Sequence, residues 1–556
     1  MLKSPENKNC YEYLRDCTEI YDDVYMMQHF GVKYMRSKIF SDMDALAGFF
    51  QKELGIKRGD VVTVFMPTTV QSIIAFYALN SIGVITNFVH PLMSTDFLKE
   101  RIEEVDSKAV MILDLLAKDH IKTINDSGLP CIVCCSSDYS EGIKGFGCKI
   151  GEGLVKKLYP KYNKAYYYKD AIAKAYVPEQ VKGNGEELGA YLNGGGTTGK
   201  SKTIKITSKS INELVWRVSD LDEIQAPGEE AEVIVLPLFH CFGLCIGIHM
   251  AMCNSARIIP MMQFDAKIFV KLMKQNRVAG FIGIPLMFQK LMREKGFDGP
   301  HLKNVRVMFC GGDDVPDAFL DEFNSYFEKW GAVGRLRQGY GLTETNSVCT
   351  TNSNNDFRYG SIGRPLRGVE VEIWDDNHNK LPDGEIGEFA IAGPTIMSGY
   401  YVDGDDDKEH GIYTDENGKK WVLSGDLGYR DKDGYFFFSG RKKRLVIISG
   451  YNVYPTDIEK VVGELPEVNE CCAVQGWENK RSMVRLYLVV KDKKYETEEL
   501  KEKIAKMLED NYSKFYVPHD YVFMDKLPET PLMKVDFMKL TSADPEKARA
   551  DRKIKD

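Results

Sequence analysis

The run with the clearest capacity for chemistry is Asn193-Gly-Gly-Gly-Thr-Thr-Gly-Lys-Ser-Lys202. Its glycines let backbone N–H groups approach phosphate oxygens closely. The hydroxyls of Thr197 and Thr198 add donors, and Lys200 and Lys202 add positive charge. Gly194 to Ser201 also satisfies G-x-x-x-x-G-K-[ST], so a P-loop NTPase that cleaves a γ-phosphate is a rival reading. A P-loop opens directly into a helix whose N-terminus helps to hold phosphate. Here residues 203–207 alternate apolar and polar, which predicts a strand, and the next helix is expected at a capping box of Ser210 and Glu213. The run therefore reads as the tip of a β-hairpin. Standing alone, it would also suit a plain flexible turn.

It does not stand alone. Downstream, in order, come Tyr340-Gly-Leu-Thr-Glu-Thr345, then Leu423-Ser-Gly-Asp-Leu-Gly-Tyr-Arg-Asp-Lys-Asp-Gly-Tyr435. Gly440-Arg-Lys-Lys-Arg444 and Gly450-Tyr-Asn-Val-Tyr-Pro-Thr-Asp-Ile-Glu459 follow, and Leu527-Pro-Glu-Thr-Pro-Leu-Met-Lys-Val-Asp536 lies near the end. Each has a bland reading: Glu344 as a solvated or capping residue, Asp426 as a turn former, Lys534 as a surface lysine. The RKKR cluster at 441–444 is too short for a nucleic-acid patch and sits between apolar strands, so a ligand-facing or hinge role is expected.

In this order and at these separations the runs resemble the adenylate-forming superfamily, in particular its acyl-CoA synthetase branch, and the resemblance covers nearly the whole chain. It implies an enzyme that activates a carboxylic acid with ATP as acyl-AMP, releasing pyrophosphate, then forms a thioester with coenzyme A. By that resemblance Gly196, Thr197, Thr198, Gly199 and Lys202 meet the ATP phosphates, and Tyr340 stacks on adenine. Thr343 bonds the α-phosphate, and Glu344 holds Mg²⁺, a hard ion that prefers carboxylate oxygen. Asp426 accepts the ribose hydroxyls with Arg441 beside it, and Lys534 bridges the carboxylate and the α-phosphate. Attack of one anion on another requires such neutralisation and an in-line geometry. The resemblance further implies a hinge at Lys443, a thiol tunnel past Gly450, and a mobile His240 at the acyl pocket.

Members that activate amino acids carry an Asp after the aromatic residue equivalent to Phe239. Here His240 and Cys241 follow it, so an acid without an α-amino group is expected. Pocket walls are expected at 240–244, 283–285 and 309–312, largely apolar and suited to a fatty or aryl acid. Four departures from the family pattern stand out. Gly195 replaces a Ser, Ser201 replaces a Pro, Asp313 and Asp314 follow Gly312 where Ala-Pro is frequent, and Met533 precedes Lys534 in place of Gly. Asp313, beside Gly312, is a candidate acceptor for the adenine amino group. Two rivals remain besides the P-loop: a ligase that loads a separate carrier protein, and a silent adenylate binder.

These residues need elements to position them. Helical spacing at 40–54 and 71–82 alternates with strand patterns at 60–65 and 109–113, which predicts a large layered α/β domain. From 360 to 435 short apolar runs separated by Gly turns predict a β-rich subdomain. Helices at 456–464 and 497–511 with a strand at 484–490 predict a small mobile α+β domain. The expected division is 1–441, 442–545 and a charged tail at 546–556. A net charge of −8 leaves no broad basic surface for nucleic acid. The uncharged stretch 233–256 reads as a buried strand and a buried helix at 244–252 rather than a membrane span, because Pro237, His240, Gly243 and Asn254 interrupt it. The start of the chain lacks a basic segment before an apolar one, and the thirteen scattered cysteines read as reduced thiols. Zinc at Cys131, Cys134 and Cys135 would need a second ligand pair. A cytoplasmic protein is expected.

Overall fold

The computed structural model describes residues 2–140, 162–194, 202–221, 224–312, 315, 317–401, 412–448, 451–478, 481–530 and 535–542. The chain divides into two compact units. The first comprises Met1–Phe357, Gly363–Glu370 and Ile391–Val422; the second comprises Arg358–Ile362, Val371–Ala390 and Leu423–Asp556.

The first unit is built on two large sheets. In the eight-stranded sheet the neighbours run Gly399–Tyr401, Thr203–Thr207, Leu188–Asn193, Ile85–Phe88, Val61–Phe65, Ala109–Leu113, Cys131–Cys134, Ala165–Tyr167. Val61–Phe65, in sequence VVTVF, is buried at every position, as expected of a parallel strand covered on both faces. The nine-stranded sheet places Glu230–Ile234, Arg277–Gly283, Val307–Cys310 and Leu336–Tyr340 in its parallel middle, with antiparallel strands at its edges. Phe269, Phe281, Phe288, Phe297, Phe323 and Phe327 fill one core against this sheet.

Helix Val70–Ser81, capped by a reciprocal box of Thr69 and Ser72, is buried all round. Its Tyr77 hydroxyl lies 2.9 Å from Nδ1 of His249, in the segment at 242–250. That segment is a π-helix, Phe242–Met250, continued by Ala251–Cys253, so the helix starts two residues earlier than the sequence suggests and is wider. A Cβ on Gly243 would lie 2.2 Å from the Pro237 carbonyl oxygen, so only glycine lets the helix start against that turn. Among the described residues no helix is long and apolar enough to cross a membrane. Helix Ser208–Val218 also begins earlier than expected. Its cap is Thr207, whose side chain accepts from the Ser210 amide, while Glu213 is taken by Arg217 four residues on.

The second unit contains a strand pair, in which Asp426 to Arg430 lies antiparallel to Phe436–Arg441, and a three-stranded sheet of Val468–Glu478, Arg481–Val490 and Asp520–Phe523. Helices Pro455–Gly463 and Glu498–Asn511 contribute Ile458, Val462, Leu500, Ile504 and Leu508 to a core with Leu486 and Leu488. The expected layered α/β unit, turn-rich β segments and smaller α+β segment are thus all present.

His249 is fully buried, and its Nε2 lies 2.8 Å from Oδ1 of Asn212, whose Nδ2 donates to the Lys8 carbonyl. The ring is therefore neutral, with Nδ1 accepting from Tyr77. Burial pushes its pKa from 6.5 down to about 3. Stability that is complete above pH 6.5 is lost as the pH falls towards 3, because the unfolded chain binds the proton first. The His249 contribution is expected to fall by about 2 kcal/mol between about pH 7 and about pH 5. Urea denaturation at the two pH values should show that loss in the native chain and its absence in His249→Gln.

Candidate active site

The glycine-rich run joins two antiparallel strands, Leu188–Asn193 and Thr203–Thr207, with Asn193 opposite Thr203. The Gly194 amide donates to the Lys202 carbonyl at 2.9 Å and closes the hairpin. Residues 195–201, with Gly196, Thr197, Thr198 and Gly199, lie outside the described residues. Helix Ser208–Val218 starts only after the second strand, so the run lacks the strand-to-helix context of a P-loop. The hairpin base is fixed by side chains. Asn193 Nδ2 donates to the Phe88 carbonyl, and the Thr203 hydroxyl donates to Glu104 and accepts from buried Arg101.

Tyr340 ends a parallel strand of the nine-stranded sheet, the place where ligand loops gather in open α/β sheets. The chain then turns sharply through a 3₁₀ turn, Thr343–Thr345, into Asn346 at φ 58 and Ser347 at φ 116. Positive φ at two successive non-glycine residues is strain held at the site. The turn is held from several sides: Ser347 N donates to the Leu342 carbonyl, Cys349 N to that of Tyr340, and the Cys241 thiol to that of Thr343 at 3.6 Å.

Tyr400 brings these parts together. It lies on Gly399–Tyr401, paired with Ile204 at the edge of the eight-stranded sheet. Its hydroxyl donates to Glu344 Oε1 at 2.9 Å, and its ring lies 4.7 Å from the ammonium of Lys202. Burial and the neighbouring Glu344 carboxylate push the Tyr400 hydroxyl well above its ordinary pKa, so it stays a donor. Glu344 Oε2 takes no hydrogen bond among the described residues and can serve a hard cation. Sequence reasoning misses Tyr400. Its only signal there is a short apolar and aromatic run before an acidic stretch, with no motif spacing to single it out.

The expected acyl-pocket walls also converge. Gly311 N donates to the Gly283 carbonyl, and a Cβ on Gly311 would lie 3.5 Å from the Phe242 ring. His240 accepts the Phe242 amide at Nδ1, and its own amide donates to Pro237. Phe239 packs on His90 at 4.2 Å between ring centroids. Gly312 adopts φ 86 at the end of the third wall; Asp313 lies outside the described residues.

In the second unit Asp426 is fully buried, opposite Arg441 in the strand pair, with 2.9 Å between Oδ1 and the guanidinium. That approach is a charge contact rather than an aligned hydrogen bond. Lys442 pairs with Glu388 and Asp376, and Arg444 with Glu459 and the Ala473 carbonyl. Of the four cations at 441–444 only Lys443 has no acidic partner among the described residues. The cluster is thus spent mostly on local carboxylates. Gly450 and Lys534 lie outside the described residues.

The family model described as AMP-binding enzyme matches residues 34–401. The chain belongs to that family. The AMP-binding enzyme C-terminal domain matches residues 457–534, in the second unit. A long-chain-fatty-acid–CoA ligase of Escherichia coli O6:H1 is 28% identical over 508 residues, covering 88% of this chain and 86% of the relative. A benzoate CoA ligase from Burkholderia xenovorans LB400 shares the fold, with TM-score 0.78, 21% identity, and 96% and 99% of the two chains covered. An O-succinylbenzoate coenzyme A synthetase from Bacillus subtilis, in complex with ATP and magnesium ion, does so with TM-score 0.74, 20% identity, and 96% and 99% covered. These matches agree with the adenylate-forming resemblance read from the motifs.

A Cβ on Gly341 would fall 1.5 Å from the Ser347 carbonyl oxygen, which is impossible without opening the turn. Gly341→Ala is expected to destabilise the first unit by about 3 kcal/mol, the upper end of overpacking costs. Gly331 has φ 71 and nothing within 4 Å of an added Cβ, so Gly331→Ala should cost only about 1 kcal/mol. Thermal denaturation of the two variants measures the difference.

Proposed function

We propose that the chain is an AMP-forming acid–thiol ligase acting on a fatty or aryl acid without an α-amino group. In the first step a carboxylate oxygen attacks the α-phosphorus of ATP; the bond to the β-phosphate oxygen breaks, giving acyl-AMP and pyrophosphate. In the second, the thiol of coenzyme A attacks the acyl carbon and AMP leaves. The observation that carries this reading is the meeting of Lys202, Tyr400 and Glu344, which sets the base of the glycine-rich hairpin beside the Tyr340 turn.

On this reading the hairpin amides, Thr197, Thr198 and Lys202 hold the β- and γ-phosphates. Tyr340 stacks on adenine, with Gly312 and Asp313 beside it, and Thr343 donates to the α-phosphate. Glu344 Oε2 holds Mg²⁺, which when bound offsets phosphate charge. Asp426 takes the ribose hydroxyls, held in place by Arg441, and Lys534 bridges the two reacting anions. His240 gates the acyl pocket, and Gly450 lets the thiol arm pass. Residues 442–545 act as a lid that turns on Lys443 between the two steps. The named acids of the relatives, long-chain fatty acids and benzoate, support the substrate class. So does the absence of a carboxylate at 240–241, where an ammonium would need one. Coenzyme A is the acceptor rather than a carrier protein, in keeping with the relatives' names, and the enzyme works in the cytoplasm.

Pyrophosphate release with ATP and Mg²⁺ across fatty and aryl acids, with and without coenzyme A, tests the proposal. Acid-dependent pyrophosphate with AMP, stimulated by coenzyme A, is expected; phosphate with ADP, or no dependence on any acid, would refute it. Lys534→Ala is expected to lower adenylation by at least a hundredfold and to spare thioester formation from supplied acyl-adenylate. Lys443→Pro is expected to slow the thioester step at least tenfold more than adenylation. Separate assays of the two half-reactions check both, and equal losses would remove the assigned roles.

A further inference from the structure

The glycine-rich run is held from outside at both of its ends. Asn193, on the first strand of the hairpin, donates through Nδ2 to the Phe88 carbonyl at 2.9 Å. Thr203, on the second, is fully buried and lies opposite both Asn193 and Tyr401. Its hydroxyl donates to Glu104 Oε2 at 2.7 Å and accepts from the Arg101 guanidinium at 3.1 Å. Both partners stand on helix Thr95–Glu104, about one turn apart on the same face. That helix is mounted firmly. Ser94 caps it, accepting from the Phe97 amide, and Leu98 and Ile102 enter a core with Phe65, Val89, Val110 and Ile112. Arg101 is itself buried, with Glu104 at 2.6 Å and Glu100 at 2.9 Å, and its guanidinium lies 5.3 Å from the centroid of the Phe97 ring.

Two carboxylates on one guanidinium leave it no net positive charge to offer a phosphate, so Arg101 acts through geometry. A glycine-rich run loses much backbone freedom when it closes on phosphate, and holding its ends lowers that cost. We infer that Arg101 is a positioning residue for the nucleotide: through the Thr203 hydroxyl it fixes the strand that begins beside Lys202, and so sets the affinity of the hairpin for the β- and γ-phosphates. This rests on the reading of the hairpin as the holder of those phosphates. The same strand pairs with Gly399–Tyr401, whose Tyr400 meets both Glu344 and Lys202, so a shift at Thr203 reaches the hairpin and the Tyr400 strand together. The α-phosphate and adenine are met elsewhere on this reading, by Thr343 and Tyr340. The network therefore bears on ATP and leaves AMP largely untouched.

The test is calorimetric titration of the full chain with ATP and with AMP, each with Mg²⁺, and it needs no knowledge of the acid. Thr203→Val, which removes only the hydroxyl, is expected to raise Kd for ATP about tenfold and to change Kd for AMP less than about twofold. Thr203→Ser, which restores the hydroxyl, is expected to keep most of the native affinity for ATP. Arg101→Met strips two carboxylates of their partner; it is expected to weaken ATP at least as much as Thr203→Val and to lower the melting temperature as well. Equal weakening of ATP and AMP in Thr203→Val would mean that the network only supports the sheet and would overturn the inference. No change in either nucleotide, or a serine variant as weak as the valine, would overturn it while leaving the ligase reading intact. A native chain that binds ATP no more tightly than AMP would remove the phosphate reading of the hairpin, and the role of Arg101 with it. A native chain that binds neither would remove the ligase reading itself.

Discussion

The hydrogen bond from the Tyr400 hydroxyl to Glu344 joins an edge strand of one large sheet to a loop at the end of the other. Its importance follows from what surrounds it. Glu344 sits in a turn with two successive positive φ values, and a turn of that kind persists only where its neighbours over-determine it. Met397 donates its amide to the Glu344 carbonyl, so the chain leading into Tyr400 grips the backbone of the same residue whose side chain Tyr400 holds. One carboxylate oxygen is thereby fixed and the other is presented. Lys202 lies over the opposite partner, the Tyr400 ring, so charge at the hairpin base is set by the same residue.

Charge is managed locally throughout. The chain is acidic overall, yet its reaction needs positive groups near phosphate. Several cations outside the site are neutralised by near neighbours: Arg101 by Glu104, Arg217 by Glu213, Arg306 by Glu230, Arg358 by Asp431. Buried carboxylates follow the same logic. Asp426 and Glu230 are wholly enclosed, and each faces a guanidinium, because an unpaired charge there would cost several kcal/mol.

Much of this was legible in the sequence, for physical reasons that differ from part to part. Buried parallel strands such as Val61–Phe65 and Ala109–Leu113 are continuous β-branched or apolar runs, so their extent can be read within a residue. The hairpin around the glycine-rich run was legible because residues 203–207 alternate where a P-loop would need a helix. Helix starts were less so. Thr207, the last residue of a strand, caps the helix that the spacing of Ser210 and Glu213 places three residues later, since a cap depends on backbone geometry that several hydroxyl residues could supply. The start of the π-helix at Phe242–Met250 was illegible, because it depends on Gly243 lying close against Pro237, a contact with no sequence period. Tyr400 was illegible for a related reason. It acts across 56 residues, through one hydroxyl, on a partner in a turn beyond the end of another sheet.

The arrangement around Lys443 bears on how one lid could serve two steps. Pyrophosphate must leave before a thiol can enter, so the groups that favour the first reaction have to be withdrawn from the second. A hinge does this at low cost only if the contacts on its two sides stay intact. Lys442 is tied to Glu388 and Asp376, which precede it; Arg444 is tied to Glu459 and Ala473, which follow it. Under the proposed hinge, rotation at Lys443 would break neither set. Under the proposed hinge, the contacts that rotation would break include the bond in which the Thr456 hydroxyl donates to the Ser439 carbonyl beside Gly440, worth about 1 kcal/mol net.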